Sequence, residues 1–269
     1  LDPAKVSQFL EKYGFKNPVG ADRNLQLMGE DLSTRLVLAR IIKNLLEAAK
    51  KCPDPDSAIN YFERLLANVA HSSNFLGFLG DTPEALEALI LILGTSPFSA
   101  EILIRNPEYF YWILDELGTP WIKPSSAYLQ EALQAKEPFE DGEQQLRALG
   151  RLKRREILRI GARDILRAAN VLGTITELSS LADAVLQFIY SICFQNLAGK
   201  HGIPCFLDAS GKLRRARFTI LAMGKLGGCE LNYSSDIDLI FIYDGENGNT
   251  TSAESLLESN QPGDPERTP

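Results

Sequence analysis

ILAMGKLGGCELNYSSDIDLIFIY, residues Ile220–Tyr243, decides the fold. It opens on an apolar run, bends at Gly227-Gly228, passes a polar turn, and enters a second apolar run behind Asp236-Ile237-Asp238. Arg217–Met223 is short, apolar and partly β-branched, which predicts a strand. Ile237–Tyr243 predicts a second strand, apolar on both faces and so expected at the centre of a sheet. Two strands make no stable sheet alone. Either part of Phe206–Arg214 adds an edge strand or the sheet is incomplete in this chain.

The chemistry is concentrated here. Residues two apart on a strand share a face, which puts the carboxylates of Asp236 and Asp238 side by side. A divalent cation relieves their repulsion, and hard oxygen ligands suit Mg²⁺ or Mn²⁺. Gly227 and Gly228 let backbone N–H groups approach a ligand closely, and Lys225 offers a point charge for a phosphate. Ser234 and Ser235 are placed to bond the turn or a phosphate, while Glu230 and Asn232 are candidates for orienting the loop. A Gly-Gly bend followed by Asp-x-Asp is the layout of a metal-dependent nucleotidyl-transfer site, in which two metals clamp the attacking and leaving oxygens. A solvated turn with capping aspartates is the plainer alternative. The apolar strand that follows argues against it.

Upstream, almost everything predicts helix. Asp2-Pro3 caps a short helix to about Tyr13, and a loop with Gly14, Pro18 and Gly20 follows. Leu32, Leu36, Val37, Ile41, Leu45 and Leu46 are spaced for a helix over 31–51, which Cys52-Pro53-Asp54-Pro55 ends. Further helices are expected from Asp56 to about Ala70, from Asp81-Thr82-Pro83 to Leu93, from Ser96-Pro97, from Asn106-Pro107 to Leu117, and from Ser125 to Ala135. The longest periodic stretch, Glu143 to Lys200, is expected to break at Gly173-Thr174, with Thr174 as the cap. His201–Pro204 reads as a linker and Asp208–Gly211 as a turn. The expected organisation is a helical domain over 1–200 with about nine helices, a partial nucleotidyltransferase domain over 201–244, and a disordered tail over 245–269 rich in Ser, Asn, Pro and Glu. The fold class is mostly α, a large helical domain followed by the start of an α+β sheet.

Composition bounds the remaining choices. Hydrophobic residues make up 45% and charged residues 23%, ordinary for a globular chain. A net charge of -7 argues against DNA or RNA as a bulk partner, since phosphate backbones call for a Lys/Arg surplus. No apolar run reaches the roughly 18 residues of a membrane span. The start carries no signal-peptide pattern and no initiator Met. Cys52, Cys193, Cys205 and Cys229 show no CxxC pairing, and His71 and His201 no zinc spacing, so four thiols in a reducing cytoplasm are expected.

Two other features have a plain reading beside a functional one. Arg147, Arg151, Arg155, Arg159, Arg163 and Arg167 recur every fourth residue, a ridge that drifts around a helix. Such a row either borders a nucleotide or an acidic partner, or forms a solvated ridge with local ion pairs. Phe110, Tyr111, Trp112 and Trp121 read as packing residues rather than a stacking platform.

GKLGGCELNYSSDIDLIF, residues 224–241, resembles the signature of the glutamine synthetase adenylyltransferases, members of the polymerase-β-like nucleotidyltransferase superfamily. LRALGRLKRREILRIGARDIL, TELSSLADAVL and SPFSAEILIRNPEYFYWIL resemble family helices upstream, so the likeness covers most of residues 70–243. It implies a Mg²⁺-dependent, cytoplasmic enzyme that uses ATP, ADP and phosphate. Its partners would be glutamine synthetase and a PII-type signalling protein, with no membrane role. Gly224, Lys225, Gly227, Gly228, Ser234 and Ser235 would take nucleotide or phosphate, and Asp236 and Asp238 would be the catalytic and metal residues. Family proteins carry two such halves. ELNYSSDIDLIF is closer to the N-terminal half, which removes AMP from a tyrosine with phosphate and releases ADP; the other half adds AMP from ATP. The superfamily also uses a third carboxylate from a later strand. Asp244 is too near in sequence, and Asp264 lies in a Pro/Gly tail. The chain therefore resembles a fragment. Adenylyl removal, adenylyl addition, an incomplete binding scaffold and a different acceptor remain the open readings.

Overall fold

The computed structural model describes residues 2–118, 122–244 and 248–252. Trp121, Asp264 and most of the tail expected over 245–269 lie outside them. The described chain is 67% helical. It falls into two compact units, Leu1–Ile122 with Arg154–Thr174 and Lys123–Lys153 with Ile175–Pro269, a division that follows packing rather than chain order.

Most of the first unit is eight helices: α1 Pro3–Glu11, α2 Pro18–Met28, α3 Leu32–Lys50, α4 Pro55–Asn68, α5 Ser72–Asp81, α6 Pro83–Thr95, α7 Pro97–Arg105 and α8 Tyr109–Leu117. Their starts are written in the sequence. Asp2, Asn17, Asp31, Asp54 and Ser96 each accept a backbone N–H of the first turn, and Pro stands at the first helical position of α1, α2, α4 and α7. Leu45, Phe62, Leu76, Leu89 and Leu103 are fully buried in one core. Two of these helices correct the sequence expectation. The Gly14–Gly20 loop gives way at Pro18 to α2, because Asn17 Oδ1 accepts from Gly20 N at 3.0 Å and Pro18 is preset for a helix. α5 had no proline or capping Asp to announce it; its serine instead reaches back, Ser72 Oγ donating to Leu66 O at 3.1 Å.

α9 (Ser125–Lys136), α10 (Gly142–Ile165) and α11 (Val171–His201) follow. The break before α11 is at 166–170, not at Gly173-Thr174. Arg167 takes a left-handed φ of 57°, and Ala168 N donates to Arg163 O at 2.8 Å, closing α10. Asn170 then caps α11 through Gly173 N at 2.7 Å, and the Thr174 hydroxyl donates to Asn170 O at 3.2 Å from inside the helix. α11 has an 18-residue window of mean hydropathy 1.2, long and apolar enough by those measures to cross a membrane, which the sequence reading had excluded. Its apolar face is already in use: Phe188 and Ile192 join Ala132, Leu149 and Leu152 in the core of the second unit.

Beyond α11 come β1 Ile203–Leu207, β2 Leu213–Arg215, β3 Phe218–Met223, the single turn α12 Gly224–Gly227, β4 Asp238–Tyr243 and β5 Asn249–Thr251. The stretch read as a linker at His201–Pro204 is thus a helix end running into a strand. The order β2-β1-β5 makes one antiparallel sheet, in which Asn249–Thr251 is a strand where composition predicted none. Phe206–Arg214 therefore adds nothing to β3. β3 pairs with β4 alone among the described residues, in the register Phe218↔Tyr243 to Met223↔Asp238. Among the described residues β4 is thus not central, and Ile240, Phe241, Ile242 and Tyr243 are exposed.

Candidate functional site

β3 and β4 set the geometry. Residues directly opposite in an antiparallel pair share a face. Phe218, Ile220 and Ala222 with Leu239, Phe241 and Tyr243 form one face; Thr219, Leu221 and Met223 with Asp238, Ile240 and Ile242 form the other. The first face is backed by α11, where Tyr190 stacks on Phe218 with ring centroids 5.3 Å apart. Asp238 therefore stands at the mouth of β4 on the face turned away from α11.

The α12 turn fits against this strand pair by virtue of its glycines. Gly224 adopts φ 55°, and a Cβ there would lie 3.1 Å from Asp238 Oδ2. A Cβ on Gly227 would meet Ala222 O at 2.5 Å, so the turn folds onto β3 only with glycine at this position. The Gly228 N–H donates to Gly224 O at 3.0 Å, inside the turn. Need for glycine here thus arises first from packing the turn on its own strand. Cys229 follows at φ 56°, a left-handed backbone on a residue that carries a Cβ.

Within the loop, Leu226 and Leu231 are buried, whereas Lys225, Ser234, Asp236 and Asp238 are exposed. Lys225 Nζ approaches Ser235 Oγ at 3.4 Å, and Ser235 Oγ donates to Asn232 Oδ1. The structure brings Gly224 beside Asp238 and Lys225 beside Ser235. β4 begins only at Asp238, so Asp236 belongs to the loop rather than to the strand. Glu230 N donates to Lys225 O at 2.7 Å, a backbone role for a residue singled out as a loop orienter.

Sequence reasoning missed Ser179 of α11. It is 2% exposed, accepts from Leu231 N at 3.1 Å, and donates to Ile175 O at 2.8 Å. The available signal was a hydroxyl set between the buried Leu178 and Leu181 of an apolar stripe.

The donor set suits a hard cation held with help. Among the described residues no group of three or more His, Cys, Asp or Glu is arranged to hold a metal. Two carboxylates are a normal protein share for Mg²⁺, which keeps waters and takes substrate phosphate oxygens for the rest. Asp244 is no third ligand. It follows the far end of β4, on the order of 20 Å from Asp238 at about 3.3 Å per residue. There Arg217 Nε donates to Asp244 Oδ2 at 2.7 Å, and these bonds with Arg217 hold the Asp244 carboxyl below its usual range.

Members of the arginine row have partners near them in the chain or in the same unit. Arg147 pairs with Glu143 at 2.6 Å in solvent. Arg155 lies over the Trp112 ring at 4.7 Å, Arg159 Nε donates to the buried Glu156 at 2.8 Å, and Arg163 Nη1 donates to Glu116 O at 3.1 Å. The row runs from a solvated pair at Arg147 to a buried one at Arg159.

A family model described as glutamate-ammonia ligase adenylyltransferase matches residues 86–261, well over half of the chain. The match takes in α7 to α11, the α12 turn and both site strands. The chain belongs to the glutamate-ammonia ligase adenylyltransferase family.

Proposed function

We propose that this chain carries a nucleotidyl-transfer site acting on glutamine synthetase, and that its reaction is phosphorolytic removal of AMP. The observation that carries the reading is the Gly224–Asp238 apposition within a family match that spans it. Inorganic phosphate would attack the phosphorus of AMP esterified to a tyrosine. A P–O bond forms to phosphate, the P–O bond to tyrosine breaks, the tyrosine oxygen takes up a proton, and ADP leaves. Asp236 and Asp238 would hold Mg²⁺ or Mn²⁺, which when bound supplies charge neutralisation at the phosphoryl oxygens. Lys225 places its ammonium where a phosphate can take it in exchange for the long contact to Ser235. The Gly224 backbone leaves room at the Asp238 carboxylate that a side chain would fill. Residues 201–244 form the transferase part of this reading and the helices of 1–200 present it. The setting is cytoplasmic, with a PII-type protein as a further partner.

A second reading has its own observation. Among the described residues β4 pairs only with β3, and no group of three or more His, Cys, Asp or Glu is arranged to hold a metal, which suits a scaffold that binds glutamine synthetase without turnover. One assay separates the two. Adenylylated glutamine synthetase is incubated with the chain, phosphate and Mg²⁺, and ADP is measured. ADP release that is lost in Asp236→Ala/Asp238→Ala is the expected outcome. Release that persists in that folded double variant removes the assignment of the site, and binding without release favours the scaffold.

A further inference from the structure

We propose that Ser179 is a positioning residue: its hydroxyl sets where the Asp236 carboxylate lies relative to Asp238. The inference rests on the assignment of those two aspartates as metal ligands. Asp238 is fixed by the sheet, paired in register with Met223. Asp236 lies outside the strand, so another anchor must place it. The loop from Gly228 to Ile237 is largely exposed, and Leu231 is its buried residue. There the backbone N–H of Leu231 donates to Ser179 Oγ at 3.1 Å. The hydroxyl's own proton is committed to Ile175 O at 2.8 Å, one turn back along α11, which leaves a lone pair aimed at Leu231. Both partners are buried, at 2% and 8% exposure, so water does not replace the bond cheaply if it is lost.

The two ligands thus hang from two different supports. One is the β3–β4 ladder, and the other includes α11, through the bond from Leu231 N to Ser179 Oγ. Metal binding by a carboxylate pair depends on their separation, so loosening one support weakens the site without touching either ligand. Neither the glycines nor the aspartates need change for this to happen.

The test uses the full chain and three readouts. Ser179→Ala removes the acceptor, and Ser179→Thr keeps it. Amide exchange at Leu231 is expected to speed up about tenfold in the alanine variant. Mn²⁺ affinity, measured on the protein without nucleotide, is expected to fall about tenfold, and the Mg²⁺ concentration that half-saturates ADP release to rise by a similar factor. The threonine variant is expected to restore affinity to within about threefold of the parent. Should Ser179→Ala not fold, Ser179→Cys preserves the volume and carries the same measurements. Faster Leu231 exchange with unchanged Mn²⁺ affinity overturns the positioning role. Unchanged Mn²⁺ affinity in Asp236→Ala/Asp238→Ala instead overturns the metal assignment, and the Ser179 proposal with it. Loss in the aspartate variant with no loss in the serine variant overturns the tether alone.

Discussion

Single side chains at the turns carry most of what this sequence declares about itself, and Asp208 shows how far one carboxylate reaches. It accepts from Ser210 Oγ at 2.5 Å, Arg214 Nε at 2.9 Å, Lys212 N at 3.0 Å and Ser210 N at 2.9 Å. The Ser210 hydroxyl first, then the Arg214 guanidinium and the Lys212 N–H, hold its carboxyl far below the usual 3.8. A carboxylate with a depressed folded pKa stabilises fully above its unfolded pKa and loses that contribution as pH falls through the folded value. The β1–β2 turn is therefore expected to loosen only in strong acid. Asp208→Asn should flatten the stability-versus-pH curve below about pH 4, and an acid titration of both proteins by circular dichroism checks this. This turn was legible as Asp208–Gly211 because Asp, Ser and Gly each have a local reason to be there. Ser179 was not legible. Its partner stands 52 residues away, and no local pattern tells a buried serine that accepts such a bond from one that merely bonds its own helix. The cysteines fall between these cases. Burial first, and Asp54 second, push the Cys52 thiol up to about 11, and Cys205 is also buried. Cys193 and Cys229 are exposed. A thiol reagent at neutral pH is expected to modify Cys193 and Cys229 and leave the other two until the chain unfolds, as peptide mapping would show.

Among the elements, helix starts were easier to read than helix ends. Pro-headed starts at Pro3, Pro55, Pro83 and Pro97 were found within about a residue, because Asp, Thr or Ser before Pro leaves little other choice. The α10–α11 break was misplaced because Gly173-Thr174 is the conventional punctuation and Arg167-Ala168-Ala169-Asn170 is not. Nothing in an arginine announces a left-handed backbone. Two substitutions test the observed break. Asn170→Ala removes the cap on Gly173 N and is expected to cost about 1 kcal/mol. Arg167→Gly removes the left-handed penalty of about 1–2 kcal/mol, less the backbone entropy that glycine adds, for a net gain of about 0.5–1 kcal/mol. Denaturant midpoints of the three proteins decide it. An Asn170→Ala variant as stable as the parent would contradict the cap at Asn170. The strand pair shows the opposite limit. β3 and β4 were readable as strands from their apolar runs, and their pairing followed. Their environment was not readable, because an apolar run on both faces says what a strand needs and not whether this chain supplies it.

Over the whole molecule, the exposed apolar residues of β3 and β4 in the second unit contrast with the fully buried ones of α3 to α6 in the first, and local stability should follow. In the first, Leu45, Ile59, Phe62, Leu65, Leu79, Leu89 and Leu93 are at 0% exposure, contributed by α3 to α6. Gly94 is packed so closely that a Cβ would lie 2.6 Å from Cys52 Sγ and 2.8 Å from Ala58 Cβ. In the second, Ala132, Leu149, Leu152, Phe188 and Ile192 form one buried cluster and Tyr128, Leu178, Leu181, Leu226 and Leu231 are buried as well, while β3 and β4 leave Leu221, Ile240, Phe241 and Ile242 exposed. Local opening energies track buried apolar contact, so the chain should not open as one unit. Amides of α3, α4 and α6 are expected to exchange slowest. Those of β4 that point away from β3 should exchange fastest, and those bonded across to β3 at an intermediate rate. Gly94→Ala should lower stability by about 1–3 kcal/mol through overpacking, and its effect should appear in α3, α4 and α6 while β3 and β4 exchange as before. Hydrogen exchange resolved by residue measures both statements at once. Equal protection of β4 and α4, or a Gly94→Ala effect spread evenly over both units, would mean that the cores open together and that the division by packing has no energetic counterpart.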